Sequence, residues 1–231
     1  VVSAWADSVP GLVIAGNENG KFCFPENPQR MWGVQGYDSV QMVEKVTKYA
    51  SRVTDPMQTL YELEKAVHIA LDRRPGPVWV EIPMSVQSSR VDVTTLARFE
   101  SSSAPRLAPT GAAIERVVES LRKAQRPVLW LGHGIRLSGA TDRLPGLIDE
   151  LDIPALVSWA GIDMLDSNHP RVFGRAGVYG QRAANFVLQN SDYVLAIGNR
   201  MAIPQVGYDL SELARGANID VVDIDETEGC K

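Results

Sequence analysis

Four short apolar runs constrain this chain more than any other feature. They read "PVLWLGHG" from Pro127, "PALVSW" from Pro154, "DYVLAIGN" from Asp192 and "NIDVVDID" from Asn218. Each has the length of a strand, and uninterrupted apolar runs of this length are what strands buried on both faces look like. Helix-like stretches lie between them. Thr110 can cap a helix running to Ala124, a second spans about Gly139 to Leu151, "GQRAANFVLQNS" makes a third, and a shorter one lies near Ser211–Arg215. Strands alternating with helices at this spacing imply βαβ units and a parallel sheet. Right-handed crossovers would make it doubly wound.

The first hundred residues repeat the theme less regularly. Residues 1–7 look like the end of a helix, and "GLVIAG" is the pattern of a buried parallel strand. "NENGKFCFPENPQR" is turn-rich and reads as loop. Val40, Val43 and Val46 predict a helix from Asp38 to Tyr49. Asp55-Pro56 sets an N-cap for a helix to about Arg73, with Leu60, Leu63, Val67 and Leu71 on one face. "RRPGPVWVEIP" gives a turn, a strand and a proline stop. "ARFESSSAPRLAPT" has little apolar content and reads as a linker. The expected division is residues 1–97, a linker at 98–109, and a second domain at 110–231.

Composition excludes several classes. A net charge of −5 with unclustered Lys and Arg argues against a nucleic-acid surface. No apolar stretch approaches the roughly 20 residues of a membrane span, and no signal-peptide pattern is present. Cys23 and Cys230 lack CxxC spacing and read as free thiols of a cytoplasmic protein. HExxH, P-loop and GxSxG motifs are missing. His68 and His169 show no ligand spacing, and His133 reads as structural.

Parallel α/β sheets bind ligands at the carboxyl ends of their strands. In the second domain those positions are Gly132-His133-Gly134, Trp159-Ala160-Gly161, Gly198-Asn199-Arg200 and Asp223-Ile224-Asp225. Gly132, Gly134 and Gly198 would let a ligand approach the backbone. Arg200 could meet a phosphate, and Asp223 or Asp225 could accept from ribose hydroxyls, the chemistry of an adenosine diphosphate. Bland readings stand beside these. The glycines suit a tight strand–helix turn, Arg200 a surface ion pair, and the two aspartates a helix cap. An NAD fingerprint fails, because the third glycine is displaced to Gly139 and Asp152 precedes a strand rather than ending one.

The whole series resembles a known family. "GRAGVYGQRAANFVLQNSDYVLAIGNR…VVDIDETEGCK" is similar to the central domain of thiamine diphosphate-dependent enzymes of the acetolactate synthase type. "AWADSVPGLVIAGN", "GVQGYDSVQMVEKVTKYASRV" and "RRPGPVWVEIPMSVQ" resemble successive segments of the preceding pyrimidine-binding domain. The resemblance implies an α/β fold of parallel sheets flanked by helices. It implies the second half of a pyrimidine domain at 1–97 and a doubly wound, Rossmann-like central domain at 110–231. Both chain ends are then expected to be cuts through a longer protein.

The resemblance also implies an activity: decarboxylation or carboligation of a 2-keto acid, using thiamine diphosphate and Mg²⁺ in a homodimer or homotetramer. The family's catalytic Glu and its GDG…N cation-binding segment are expected outside these residues, so the 231 residues alone are expected to be inert. Gln35 matches the Gln of the family's "FQE" segment, a side chain near thiazolium and substrate, although Gly36 stands where the family has Glu. Gly177-Val178-Tyr179-Gly180 replaces "GMHG", and Arg200-Met201-Ala202-Ile203-Pro204 replaces "RFDDR". FAD, an ADP-like ligand, or a purely structural or oligomerising central domain are the alternatives there.

Overall fold

The structure, a computed structural model, describes residues 1–23, 29–101 and 108–230. It divides into two compact units, Val1–Arg106 and Leu107–Lys231. Half of the expected linker at 98–109, residues 102–107, lies outside the described residues, as do residues 24–28 of the expected loop.

In the first unit, helix α1 (Val2–Ala6) leads to strand β1 (Gly11–Asn17). Helix α2 (Ser39–Val43) and strand β2 (Tyr49–Arg52) follow. Helix α3 (Thr59–Leu71), strand β3 (Pro77–Pro83) and helix α4 (Met84–Gln87) complete it. The strands form a parallel sheet in the order β1-β3-β2. Asp55 accepts from the Met57 amide and Pro56 opens the turn of 3-10 helix that runs into α3. At its other end, Lys48 Nζ donates to the Ile69 and Asp72 carbonyls, satisfying acceptors that a helix terminus leaves open.

Three expectations for this unit need correction. The helix expected from Asp38 to Tyr49 stops at Val43, passes through a 3-10 turn at Glu44–Val46, and is followed by β2. The buried face of α3 carries Ala66 and Ala70, against Val53, Val78, Val80 and Val86, whereas Val67 and Leu71 are exposed. Small residues win because the helix must lie close to a strand of β-branched side chains. Finally, β1 is parallel but lies at a sheet edge, where Leu12 and Ile14 are exposed.

The second unit begins with α5 (Gly111–Lys123), whose Thr110 cap accepts from the Ala113 amide. Then come β4 (Pro127–Leu131), α6 (Gly134–Leu137), α7 (Leu144–Leu151), β5 (Ala155–Val157) and β6 (Val172–Arg175). Helix α8 (Arg182–Gln189), β7 (Tyr193–Ile197), α9 (Ile203–Val206) and β8 (Asn218–Val222) close it. All five strands are parallel, in the order β6-β5-β4-β7-β8. The order reverses between β4 and β7, which makes the sheet doubly wound.

Alternate residues of the central strands enter two separate cores. Val128, Trp130, Val194 and Ala196 face Ala184 and Leu188 of α8. Leu129, Leu131, Tyr193 and Leu195 face Leu144 and Ile148 of α7. Burial of each large apolar side chain stabilises the sheet by about 1.5–3 kcal/mol. Two expectations shift here. The helix expected from Gly139 starts only at Leu144, after a 3-10 turn at Thr141–Arg143, and the helix expected near Ser211–Arg215 is a 3-10 turn at Leu210–Glu212. Among the described residues no helix is long and apolar enough to cross a membrane.

Candidate functional site

The carboxyl edge of the second sheet is where its topology concentrates loops. Gly132 N–H donates to the Ile197 carbonyl (2.8 Å) and Gly134 N–H to the Gly198 carbonyl (2.9 Å), so the turns after β4 and β7 lie on each other. A Cβ on Gly132 would fall 2.0 Å from the Gly198 oxygen, and one on Gly134 2.8 Å from Gly198 Cα. Gly198 itself has φ +56°. The three glycines expected to open space for a ligand are filled by one another's backbone.

Gly177 is equally enclosed. A Cβ there would meet the Pro204 carbonyl oxygen at 2.4 Å, and Asn185 of α8 bonds both its N–H and its C=O. Asp223 and Asp225 act locally: Asp223 Oδ1 accepts from the Asp225 amide, and Asp225 Oδ1 accepts from Thr227 N–H, both at 3.0 Å. Arg200 is exposed, next to Asn199, which is buried.

Around this closed centre lies a rim of polar and aromatic groups. His133 Nδ1 sits 3.2 Å from the Ala160 carbonyl, and Arg136 donates to the same oxygen at 3.0 Å. Arg136 also pairs with Asp163, whose pKa is held below the ordinary carboxylate value chiefly by that bond. Trp159 and Tyr179 meet edge to face with centroids 5.0 Å apart, and both are exposed.

Four buried side-chain atoms of this unit have no hydrogen-bond partner among the described residues: Trp130 Nε1, Ser158 Oγ, Arg175 Nε and Asn199 Nδ2. Each belongs to a residue in the last two positions of β4, β5, β6 or β7, or within two residues beyond. Buried polar atoms without partners are costly, about 1–3 kcal/mol each. Trp159 and Asn199 stood among the strand-end residues read from the sequence. Arg175, the last residue of β6, and Tyr179, in the turn that follows it, did not, because β6 was not recognised.

In the first unit, Gln35 is exposed on a loop held at the carboxyl ends of β1 and β3. Glu18 Oε1 accepts from the Val34 (3.0 Å) and Gln35 (3.3 Å) amides, Gly36 N–H donates to the Trp32 carbonyl (3.1 Å), and Asn17 Nδ2 donates to the Tyr37 carbonyl (3.1 Å). Beyond the loop, Ser39 Oγ and Arg52 Nε both donate to Glu81, which is fully buried, and Trp79 Nε1 donates to Ser39 Oγ at 3.2 Å. A cavity of about 220 Å³ opens nearby, lined by residues that include Lys21, Arg52, Thr54 and Ser85. Among the described residues no group of three or more His, Cys, Asp or Glu could hold a metal ion.

Residues 114–231 match the family model described as thiamine pyrophosphate enzyme, central domain. The probable acetolactate synthase large subunit of Methanocaldococcus jannaschii is 27% identical over 99% of this chain and 38% of its own length. The acetolactate synthase large subunit of Corynebacterium glutamicum is 29% identical over 99% of the chain and 36% of its own. The glyoxylate carboligase of Escherichia coli O157:H7 is 29% identical over 98% and 37%. The chain thus spans well under half the length of these relatives. The doubly wound sheet formed by β4 to β8 lies wholly within the matched residues, and the chain belongs to the thiamine pyrophosphate enzyme family, of the acetolactate synthase-like kind.

Proposed function

We propose that this chain is part of a thiamine diphosphate-dependent carboligase or decarboxylase acting on a 2-keto acid. The observation that carries this reading is alignment over essentially the whole chain with acetolactate synthase large subunits and with a glyoxylate carboligase. On this reading residues 1–97 are the second half of a pyrimidine-binding domain, and the working protein is a homodimer or homotetramer. Thiamine diphosphate, when bound, would supply a carbon nucleophile and an electron sink for the keto acid.

The fit of these residues to that cofactor is narrow. Gln35 offers one exposed amide on a braced loop, and the described residues contain no cluster suited to Mg²⁺. No chemical step is therefore assigned to them, and turnover is assigned to the longer polypeptide. The test is turnover of pyruvate and of glyoxylate with thiamine diphosphate and Mg²⁺, by the full-length protein and by the isolated 231 residues. Turnover by the full-length protein alone supports the reading. Inactivity of the full-length protein toward every 2-keto acid tried, with thiamine diphosphate unbound, overturns it.

A second reading concerns the central domain alone. The four unpartnered atoms at neighbouring strand ends favour a polar ligand there, FAD or an ADP-like molecule. The geometry does not fit a Rossmann-type pyrophosphate cradle. The glycines are filled, and α6 has only four residues. A nucleotide would have to sit on the rim formed by His133, Arg136, Trp159, Tyr179 and Arg200. Calorimetry with ADP, FAD and thiamine diphosphate separates the readings. Absence of any adenine-nucleotide heat would leave the domain a structural or oligomerising one.

A further inference from the structure

We propose that Glu18 is a positioning residue for Gln35. Its carboxylate lies under the loop and fixes the direction in which the Gln35 side chain leaves the backbone. The inference rests on the reading of Gln35 as a residue facing the cofactor and substrate.

The loop is built around that carboxylate. Two consecutive amides, those of Val34 and Gln35, converge on the single oxygen Oε1. Adjacent N–H groups turned to one side form an anion-binding concavity, and here the anion is supplied by the chain itself. Bonds from backbone N–H to a carboxylate are about twice as strong as neutral ones. Room for the carboxylate comes from Gly33, which has φ +66° and whose Cβ would lie 2.5 Å from Glu18 Oε1. Gly36 closes the turn from the other side, where a Cβ would lie 2.2 Å from the Trp32 oxygen and 3.0 Å from the Phe22 oxygen.

The anchor is itself fixed. Glu18 follows directly on β1, and its own amide donates to Asn17 Oδ1 at 2.7 Å. Asn17 is 4% exposed, and its Nδ2 holds the Tyr37 carbonyl, on the far side of Gln35. Tyr37 N–H in turn donates to the Gln35 carbonyl at 2.8 Å. The Gln35 N–H is therefore tied to the Glu18 side chain, and its C=O to the amide of Tyr37, a residue that Asn17 in turn holds at the end of the same strand, while the Gln35 side chain is exposed. That is the arrangement expected of a residue whose direction matters and whose amide group is kept for something other than the loop.

The test is a double-mutant cycle in the full-length protein, read by turnover of a 2-keto acid and by amide hydrogen exchange. Glu18→Ala is expected to speed exchange at Val34 and Gln35 by about tenfold, with exchange at Val80 in β3 unchanged. It is expected to lower kcat by about ten- to a hundredfold with KM within about twofold. Glu18→Gln keeps an accepting oxygen and is expected to restore most of both. In a Gln35→Ala background, Glu18→Ala is expected to lower kcat by no more than about twofold further. Unchanged exchange at Val34 and Gln35, or a full loss of kcat in the Gln35→Ala background, would overturn the positioning role while leaving the reading of Gln35 intact. Full turnover by Gln35→Ala would overturn that reading and this inference with it. Should Glu18→Ala fail to fold, Glu18→Gln decides alone: wild-type kcat with raised loop exchange would overturn the role.

Discussion

Gly132 and Gly198 touch backbone to backbone at the point where the strand order of the second sheet reverses. A methyl group on Gly132 would lie 2.0 Å from the Gly198 carbonyl oxygen, and one on Gly198 would lie 2.8 Å from the Ile135 amide nitrogen. These glycines let two crossover turns share a space that fits neither turn with a side chain. Gly132→Ala is expected to cost about 2–3 kcal/mol in urea unfolding, through overpacking against main chain that cannot move aside. Gly111, at the first turn of α5, has nothing within 4 Å of its Cβ position. Gly111→Ala is expected to be neutral or stabilising by up to about 1 kcal/mol. Equal effects of the two substitutions would contradict the packing argument.

The buried Glu81 yields a second prediction. It sits on the middle strand of the first sheet, opposite Arg52 in register, and takes donors from both Arg52 and Ser39. Arg52 also stands 3.7 Å from Asp38. Removing one partner of a buried pair strands the other charge, which costs about 3–5 kcal/mol. Arg52→Met should therefore destabilise far more than the double variant Arg52→Met/Glu81→Leu, which exchanges the pair for apolar volume. Denaturant midpoints of the two variants check this. A double variant as unstable as the single one would mean that packing, not the stranded carboxylate, sets the cost.

The parts of the fold legible in the sequence were those whose signal is local. Continuous apolar runs marked β3, β4, β5 and β7, and a polar side chain at Thr110 or Asp55 marked a helix start. What the sequence hid was set by tertiary context. Strand β2 is the four residues "YASR", none of them buried, and it is a strand because it pairs with β3. Strand β6 contains Gly174 at φ +90° and meets β5 with a register shift, so no run announces it. With β6 unseen, Arg175 and Tyr179 could not be placed at the carboxyl edge.

Residue roles were harder to read than elements. A glycine after a strand looks the same in sequence whether a ligand or another turn occupies its missing side chain. Asp225 looks the same whether it accepts from a ribose or from Thr227. Gln35 was singled out from its place in the "VQG" segment, but Glu18, whose carboxylate accepts from the Gln35 amide, lies 17 residues away. No spacing rule connects the two.

Neighbouring residues at the start of β7 are expected to act at opposite ends of the pH range, beginning with Asp192 in acid. Its carboxylate accepts from the Gln125 and Arg126 amides, both at 2.8 Å, and so staples the start of β4 to the start of β7. Burial pushes its pKa up, but those two donors and the Arg126 charge outweigh it and hold the group below its ordinary value. A carboxylate with a depressed folded pKa stabilises the protein above the unfolded value, about pH 4, and loses that contribution as pH falls through the folded one. Asp192→Asn is expected to cost about 1–3 kcal/mol at pH 7 and to flatten the acid limb of stability. A melting temperature that falls as steeply below pH 4 as in the wild type would reject this.

Tyr193 is expected to contribute to the alkaline limb. It is 3% exposed, and its hydroxyl donates to Asp220 Oδ2 at 2.8 Å, while Asp220 also lies 3.7 Å from Arg116 of α5. Burial first, and the Asp220 bond second, raise its pKa well above the ordinary phenol value. A phenol that holds its proton more tightly in the folded state gives its full contribution below the unfolded pKa, about 10. That contribution disappears as pH rises from there through the folded value, because the unfolded chain releases the proton first. Tyr193→Phe is expected to cost about 1 kcal/mol at neutral pH, the worth of one hydrogen bond, and to remove much of the decline in stability above pH 10. Urea unfolding at pH 8 and pH 10.5 measures both. If the variant loses stability between those two points as fast as the wild type, other groups carry the alkaline transition and the Tyr193–Asp220 contact does not govern it.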